Sequence, residues 1–128
     1  MTNTPAQLSE LVDRVEAATG PDRFLDARIR ATLEMPEQPV LTDCPAYTAS
    51  IDAALALVER KLPGWFWRGG HVPSFHWTGT RNVDCWAHLS RTDASNCDKE
   101  DEATGWCNTV PLALVAALLH ALAHQGAE

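Results

Sequence analysis

The segment from Asn108 to His124 limits what this chain can fold into more than any other stretch, because it is apolar on every side. After Thr109, every position is Leu, Val, Ala or Pro except His120 and His124. A helix with one solvated face carries charged residues every three or four positions, and this segment carries none. We therefore predict a central helix that is buried on more than one side.

The ends of this segment carry residues typical of helix boundaries. Asn108 or Thr109 can accept hydrogen bonds from the N–H groups of the first turn, and Pro111 is tolerated in that turn. Gly126 is a residue type that commonly ends helices. The sequence thus predicts both boundaries of the final helix.

Composition indicates one ordinary globular domain. A chain of 128 residues, with 45% hydrophobic and 21% charged residues, can bury a substantial core without disulfides. The longest uncharged apolar run, Val110 to Leu119, is shorter than the roughly 18–20 residues that cross a bilayer. The N-terminal residues lack the pattern of a signal peptide, and the four cysteines are expected to be reduced. We expect a cytoplasmic protein with no membrane contact.

Charge is spread unevenly along the chain. The net charge of −7 argues against general nucleic-acid binding, which needs a basic face to neutralise phosphates. The segment from Arg60 to Arg91, however, has five basic residues against one acidic residue, so it carries +4 and the rest carries −11. Four of the five tryptophans also fall in this segment: Trp65, Trp67, Trp77 and Trp86.

Three further helices are predicted before this basic segment. Thr4-Pro5 is typical of a helix start, and an apolar stripe follows at Leu8, Leu11, Val12 and Val15. Asp22 is the expected cap of a second helix, whose apolar face is formed by Leu25, Ile29 and Leu33. The third helix is expected to start at Thr48 or Ser50 and to end at Pro63-Gly64, because Ile51, Leu55, Val58 and Leu62 recur at helical spacing between them.

The hydrophobic period changes after the third helix. Residues 65–68 and 71–77 are rich in aromatic residues, which favours strands. Apolar residues alternate with polar ones from Val83 to Ser90, which predicts a half-buried strand. Residues 93–107 are acidic and are predicted to form a loop, with a short edge strand as the alternative.

The order and composition of four segments resemble the phage ABA sandwich domain family. These segments are Gly20-Pro21-Asp22-Arg23 with the run LDARI, then YTASIDAAL from Tyr47, Pro63-Gly64-Trp65, and TVPLALVAAL from Thr109. The chain departs from the family in its N-terminal helix, in Val115, where relatives often have Cys, and in the Cys and His content of its middle. The resemblance implies a small layered α/β/α domain encoded by phages or prophages, and it implies no established activity.

We therefore predict a single α+β domain over residues 1–128. N-terminal helices are expected in residues 1–35 and a Pro-rich connection in residues 36–47. Residues 48–128 are expected to form the sandwich core, in which a small antiparallel β-sheet lies between helical layers.

Metal binding is the less favoured interpretation of the cysteines and histidines. Cys85, His88, Cys97 and Cys107 have no standard zinc-site spacing. Residues three apart on a strand also point to opposite faces, so Cys85 and His88 should diverge. His120 and His124 share a helix face, but no acidic residue lies at a matching spacing along the chain, so we predict no metal ion and no cofactor.

Catalytic motifs are also missing from the sequence. It contains no nucleophile elbow, no Ser-x-x-Lys and no cysteine in a signature context. Gly69-Gly70 is not a phosphate-binding loop, because the Gly-Lys-Ser/Thr of such loops does not follow it. We predict no catalytic residues and a protein that is not an enzyme. A small hydrolase that uses His71 or His76 with Asp84 is retained as an alternative.

The segment rich in Trp and Arg is the strongest candidate for a binding site. Indole rings stack on planar ligands, and arginine binds phosphate or carboxylate. Strand alternation puts Trp65 and Trp67 on one face of the sheet, and Phe66 and Arg68 on the other. We expect the second face to present Arg68, His71, Arg81 and either Trp86 or His88. The candidate ligand-binding residues are Trp65, Trp67, Arg68, His71, His76, Trp77, Arg81 and Trp86.

These observations favour a non-catalytic phage accessory protein in the host cytoplasm that acts by binding. One hypothesis is sequestration of a nucleotide or other anionic small molecule as a counter-defence, in a closed pocket at a subunit interface of a homo-oligomer. The alternative is a protein-binding or virion-assembly factor with a flat or grooved apolar patch, because mixed aromatic surfaces also form protein interfaces.

Overall fold

The computed structural model describes residues 5–33, 44–71, 85–91 and 102–126. Within these ranges the chain forms four helices and three strands. They are α1 (Pro5–Ala17), α2 (Arg23–Leu33), α3 (Ile51–Lys61), β1 (Phe66–His71), β2 (Cys85–Ser90), β3 (Glu102–Cys107) and α4 (Val110–Gly126). None of the described helices is both long enough and apolar enough to span a membrane.

The predicted caps of α2 and α3 are confirmed, whereas Thr4, the expected cap of α1, lies outside the described residues. The carboxylate of Asp22 accepts hydrogen bonds from the N–H groups of Phe24 and Leu25, at 2.9 and 3.2 Å. Ser50 caps α3 by accepting from the N–H of Ala53 at 3.1 Å. These side chains satisfy N–H groups that have no partner within the helix.

The last helix begins and ends as its sequence predicts. The hydroxyl of Thr109 accepts a hydrogen bond from the N–H of Leu112 at 3.3 Å, and the helix runs from Val110 to Gly126. Every residue from Leu112 to Leu119 is fully buried. The predicted burial on more than one side is therefore confirmed.

The three strands form one antiparallel sheet in the order β1-β2-β3. In the central row of its register, Gly69 pairs with Ala87 and Ala87 pairs with Gly105. The strand β3 lies in the segment predicted as an acidic loop, so the edge-strand alternative is confirmed for residues 102–107. Paired residues of antiparallel strands share a face, so this register assigns every strand residue to one of two faces.

The inner face of the sheet packs on α4. Its residues on β2 and β3 are small or apolar and buried: Cys85, Ala87, Leu89, Ala103, Gly105 and Cys107. Gly105 lies so close to α4 that a Cβ atom there would overlap the backbone oxygen of Ala113. The same Cβ would lie 2.8 Å from the backbone nitrogen of Ala117. Small residues on both surfaces therefore set the distance between helix and sheet.

The predicted α+β class is confirmed, since the described residues form four helices and a three-stranded antiparallel sheet that packs against helices. Helix α4 contacts the sheet on one side and α1 and α3 on the other, and α2 packs on α1. Among the described residues, the helices thus lie on one face of the sheet. The apolar circumference of α4 explains this order, because α4 needs cover on both sides and so occupies the middle layer itself.

A buried polar network ties α2 to the residues that precede α3. The Asp26 carboxylate is fully buried, and its Oδ1 accepts from both the N–H and the hydroxyl of Thr48, each at 2.8 Å. Its Oδ2 accepts from Arg23 at 2.9 Å, and Arg23 also donates to the carbonyl of Cys44 at 2.8 Å. Asp26, Arg23 and Thr48 therefore hold the start of α2 against the residues that precede α3.

Candidate functional site

The outer face of the sheet, which points away from α4, is the candidate site. Alternation places on it Phe66 and Arg68 of β1, Trp86, His88 and Ser90 of β2, and Glu102, Thr104 and Trp106 of β3. On this face Phe66, Arg68, Thr104 and Trp106 are exposed, whereas Ser90 is buried. Its residues lie in three rows that run across the strands.

The first row is aromatic. Gly70 pairs with Trp86, and Trp86 pairs with Trp106. The two tryptophans therefore lie side by side on neighbouring strands, and the backbones of such strands are about 4.8 Å apart. The indole of Trp86 reaches over β1, since a Cβ atom on Gly70 would lie 3.5 Å from its Nε1. Trp86 is half-buried, and Trp106 keeps 38% of its surface exposed. The row therefore presents aromatic surface to solvent.

The second row carries cationic and polar groups. Arg68 pairs with His88, and His88 pairs with Thr104. The Nδ1 of His88 and the hydroxyl of Thr104 are 2.8 Å apart, in a hydrogen bond that fixes the orientation of the imidazole. With Nδ1 engaged, Nε2 is the ring nitrogen that a ligand can use. Arg68 is exposed at the β1 end of the row.

The third row contains Phe66, Ser90 and Glu102. Ser90 is buried, whereas Phe66 keeps 47% of its surface exposed. Glu102 lies at the far edge of the sheet from Phe66 and is half-buried. The third row therefore adds a negative charge to the face, at its β3 edge.

Two of the predicted tryptophans lie away from the outer face. Trp65 packs against the core, and the guanidinium of Arg91 lies 5.7 Å from the centre of its ring, in cation–π contact. Trp67 is on the inner face, where its ring lies within 3.2 Å of a Cβ atom placed on Gly69. The predicted separation of Trp67 from Arg68 is confirmed by this register.

The predicted grouping of His71 with Arg68 is wrong. His71 pairs with Cys85, which is an inner-face residue, whereas Arg68 pairs with the outer-face residue His88. The two positions are three apart on a continuous strand, so their side chains point to opposite faces. Of the group expected on that face, the structure brings together Arg68, Trp86 and His88.

Some candidate residues lie outside the described ranges, and one outer-face residue was not predicted. His76, Trp77 and Arg81 lie in the segment 72–84, which the structure does not describe. Trp106 was missed because its segment was predicted mainly as a loop. The alternation of Ala103, Gly105 and Cys107 with larger or polar residues is the sequence signal that identifies the strand.

The register also bears on the cysteine and histidine set. Cys85 and Cys107 face each other on the inner face, where both are buried, whereas His88 lies on the outer face. His88 therefore cannot share a metal ion with these two cysteines. Cys97 lies outside the described ranges. Within those ranges, no three His, Cys, Asp or Glu side chains are grouped closely enough to hold a metal ion.

His120 has a carboxylate partner that sequence spacing could not reveal. Its Nε2 lies 3.0 Å from Oε2 of Glu16, which joins α4 to α1. The pair is separated by 104 positions in the chain. His120 is thus accounted for by a helix–helix contact, and the side chain of His124 is outside the described part of the structure.

Comparison of the chain with protein-family models, with curated proteins and with solved structures finds no match. The resemblance to the phage ABA sandwich domain family therefore stays a prediction.

Proposed function

We propose that this protein is a non-catalytic binding protein whose outer sheet face holds a planar anionic ligand of the nucleotide class. The observation that carries the proposal is the adjacency of two rows. The Trp86–Trp106 pair presents ring surface, and Arg68 and His88 stand two residues away along the same strands. Aromatic surface, a guanidinium group and an imidazole thus lie together on one face.

The spacing of the rows suits a nucleotide. Residues two apart on a strand are separated by about 6.8 Å, which is comparable to the distance between a base and its phosphate group. Stacking of a base on an indole is worth about 1–3 kcal/mol. An arginine guanidinium adds charge-assisted hydrogen bonds to phosphate oxygens. The ligand is expected to stack on Trp106 and to direct its phosphate towards Arg68 and His88.

The biological setting of the proposal follows from the family resemblance. A phage or prophage protein that binds a nucleotide in the host cytoplasm can act in counter-defence, because it lowers the free concentration of a nucleotide signal. Such sequestration needs no chemical step. It requires only that the protein be present in excess of the ligand and that the dissociation constant lie below the signalling concentration.

Isothermal titration calorimetry against nucleoside monophosphates and cyclic nucleotides tests the proposal. We expect binding by at least one of them, and we expect Trp106→Ala to weaken it about ten-fold, which corresponds to the loss of one stacking contact. Arg68→Gln should weaken binding of phosphorylated ligands more than binding of the corresponding nucleosides.

Two residues of the same strand serve as matched controls. Trp67 is exposed to a similar extent as Trp106, at 43% against 38%, but lies on the inner face. His71 is an exposed ring on that same inner face. Trp67→Ala and His71→Gln should leave the affinity unchanged. A lack of binding by every nucleotide, or equal losses in Trp67→Ala and Trp106→Ala, would contradict the proposal.

A protein partner is the second candidate function. Phe66 and Trp67 are adjacent on β1 and point to opposite faces, yet both remain nearly half exposed. This end of β1 therefore presents apolar surface on both sides of the sheet, as protein interfaces often do. This candidate predicts that Phe66→Ala and Trp67→Ala abolish partner binding and that nucleotides do not compete with the partner.

A further inference from the structure

A second surface lies where α1 and α2 meet. Phe24, in the first turn of α2, is 87% exposed, more than any other large hydrophobic residue among those the structure describes. Its backbone N–H is bound by the capping carboxylate of Asp22, so the turn that carries it is well fixed. Phe24 is therefore an apolar side chain held in solvent by an ordered helix.

A groove lies directly beside this side chain. Its volume is about 320 Å³, which is at the lower end of the range for ligand pockets. The short side chains of Ala17 and Ala18 and the buried side chain of Leu25 give it an apolar lining. Phe24 itself forms part of its wall. A projecting ring and a concave apolar groove thus lie side by side on one surface.

The charges around the groove are balanced. Arg14 and Arg28 both pair with the same oxygen of Glu10, at 3.5 and 3.0 Å, and Asp22 lies at the groove wall. Two positive and two negative side chains therefore border the surface. Since the chain carries −7 overall, this is a region where two copies can approach without the repulsion that an acidic surface would cause.

We propose that this α1–α2 surface binds a second copy of the chain, and that Phe24 of each copy inserts into the groove of the other. A two-fold axis requires a surface that is complementary to itself, and adjacent projecting and concave elements with balanced charge meet that requirement. Phe24 is the anchor residue, as buried aromatic side chains often are at interfaces.

This inference is independent of the proposed ligand site. The groove is lined by residues of α1, of α2 and of the turn between them, and none of its lining residues belongs to the outer sheet face. The α1–α2 surface thus supplies an interface for the homo-oligomer that the sequence predicts. This interface does not include the ligand site, whereas the sequence-based hypothesis put the ligand pocket between subunits. A dimer of this kind binds two ligands at separate sites.

Sedimentation equilibrium tests the inference on the full chain. Between about 1 μM and 1 mM, a range suited to small interfaces, the average mass should rise from 14.0 kDa towards twice that value. Phe24→Ala should weaken association at least ten-fold, and it removes no core packing because the side chain of Phe24 is exposed. Ala17→Phe, which fills the groove from an exposed position, should weaken association to a similar degree.

Ile51→Ala is the matched control, because Ile51 is an exposed apolar residue at the start of another helix. It should leave the dimer constant unchanged. A wild-type chain that stays at 14.0 kDa throughout overturns the inference. So does a dimer that Phe24→Ala leaves intact, and a dimer weakened by Trp106→Ala instead would place the interface on the sheet.

Discussion

Replacement of Gly105 by alanine tests how closely α4 is packed on the sheet. The added Cβ atom would overlap the backbone oxygen of Ala113 and lie 2.8 Å from the nitrogen of Ala117 and 2.9 Å from the Cβ of Ala116. Two of these atoms belong to the backbone of a fully buried helix, so no side-chain rotation can relieve the contacts. Either α4 must move away from β3 or the strand must bend.

The cost of this change can be given an approximate size. Overpacking of a well-packed core costs about 1–3 kcal/mol and occasionally more, and the backbone contacts place Gly105→Ala at the upper end, near 3 kcal/mol. This is a large part of the roughly 5–15 kcal/mol that stabilises a typical domain. For a chain of this length, it corresponds to a fall in Tm of about 10 °C.

Urea and thermal unfolding followed by circular dichroism measure this loss. Gly20→Ala is the matched control, because a Cβ atom at Gly20 meets no atom within 4 Å, and this change should leave stability nearly unaltered or slightly improved. A loss below about 1 kcal/mol for Gly105→Ala would refute the close packing of α4 on β3.

Three further outcomes are expected. Thr48→Val removes the hydroxyl that donates a hydrogen bond to the Asp26 carboxylate in the buried network. In urea titrations this change should lower the free energy of unfolding by about 1–3 kcal/mol and leave the m-value unchanged. Glu16→Gln weakens the half-exposed pair with His120 and should cost less than about 1 kcal/mol by the same measurement; a larger loss would contradict a peripheral role. Burial, followed by the negative charge of Asp26, raises the pKa of the Cys44 thiol. Alkylation of Cys44, followed by peptide mass mapping, should therefore have its pH midpoint above that of the urea-unfolded chain, and an equal or lower midpoint would contradict this.

The pKa shift of Cys44 also fixes the sign of a small pH dependence. Because the folded state favours the protonated thiol, its contribution to stability is fully present below the pKa of the unfolded chain. That contribution is lost as the pH rises through the higher pKa of the folded state. Stability measured in the alkaline range should thus decline slightly less in Cys44→Ser than in the wild type.

The helices could be predicted from the sequence because their signals are local. Asp22, Ser50 and Thr109 cap helices through contacts within three residues. The burial of α4 is predicted by the absence of charged residues from its sequence. Such features depend on short-range geometry alone. The strand from Cys85 to Ser90 was similarly accessible through its alternation.

The order of layers depends on contacts between distant segments. A helix that is apolar on all sides requires cover, but its sequence does not state whether the sheet or the helix occupies the middle layer. The structure settles this through α1 and α3, which cover the side of α4 that the sheet leaves open. The contact between His120 and Glu16 is of the same kind, since it joins two helices that are far apart in the chain.

The candidate site was predictable only in part. Alternation along the strands of the segment rich in Trp and Arg predicted that Arg68 and Trp86 lie on one face of the sheet. The register confirms that they share this face. Trp106 was not predicted, because the acidic composition of residues 93–107 favours a loop over a strand. It pairs with Trp86 and completes the aromatic row. The assignment of His71 was wrong because the strand continues through Gly69 and Gly70, which places His71 on the opposite face from Arg68. Register across strands is a tertiary property, and it decides which side chains meet.

Binding of a planar anionic ligand on the outer face is the central claim, and the indole N–H signals of the five tryptophans test it directly. In a two-dimensional ¹⁵N correlation spectrum, each tryptophan gives one such signal. Titration with a nucleotide that binds in calorimetry should shift the signals of Trp86 and Trp106 and leave that of Trp67 in place. Shifts confined to Trp65 and Trp67, or unchanged signals for Trp86 and Trp106 at saturating ligand, would contradict the claim.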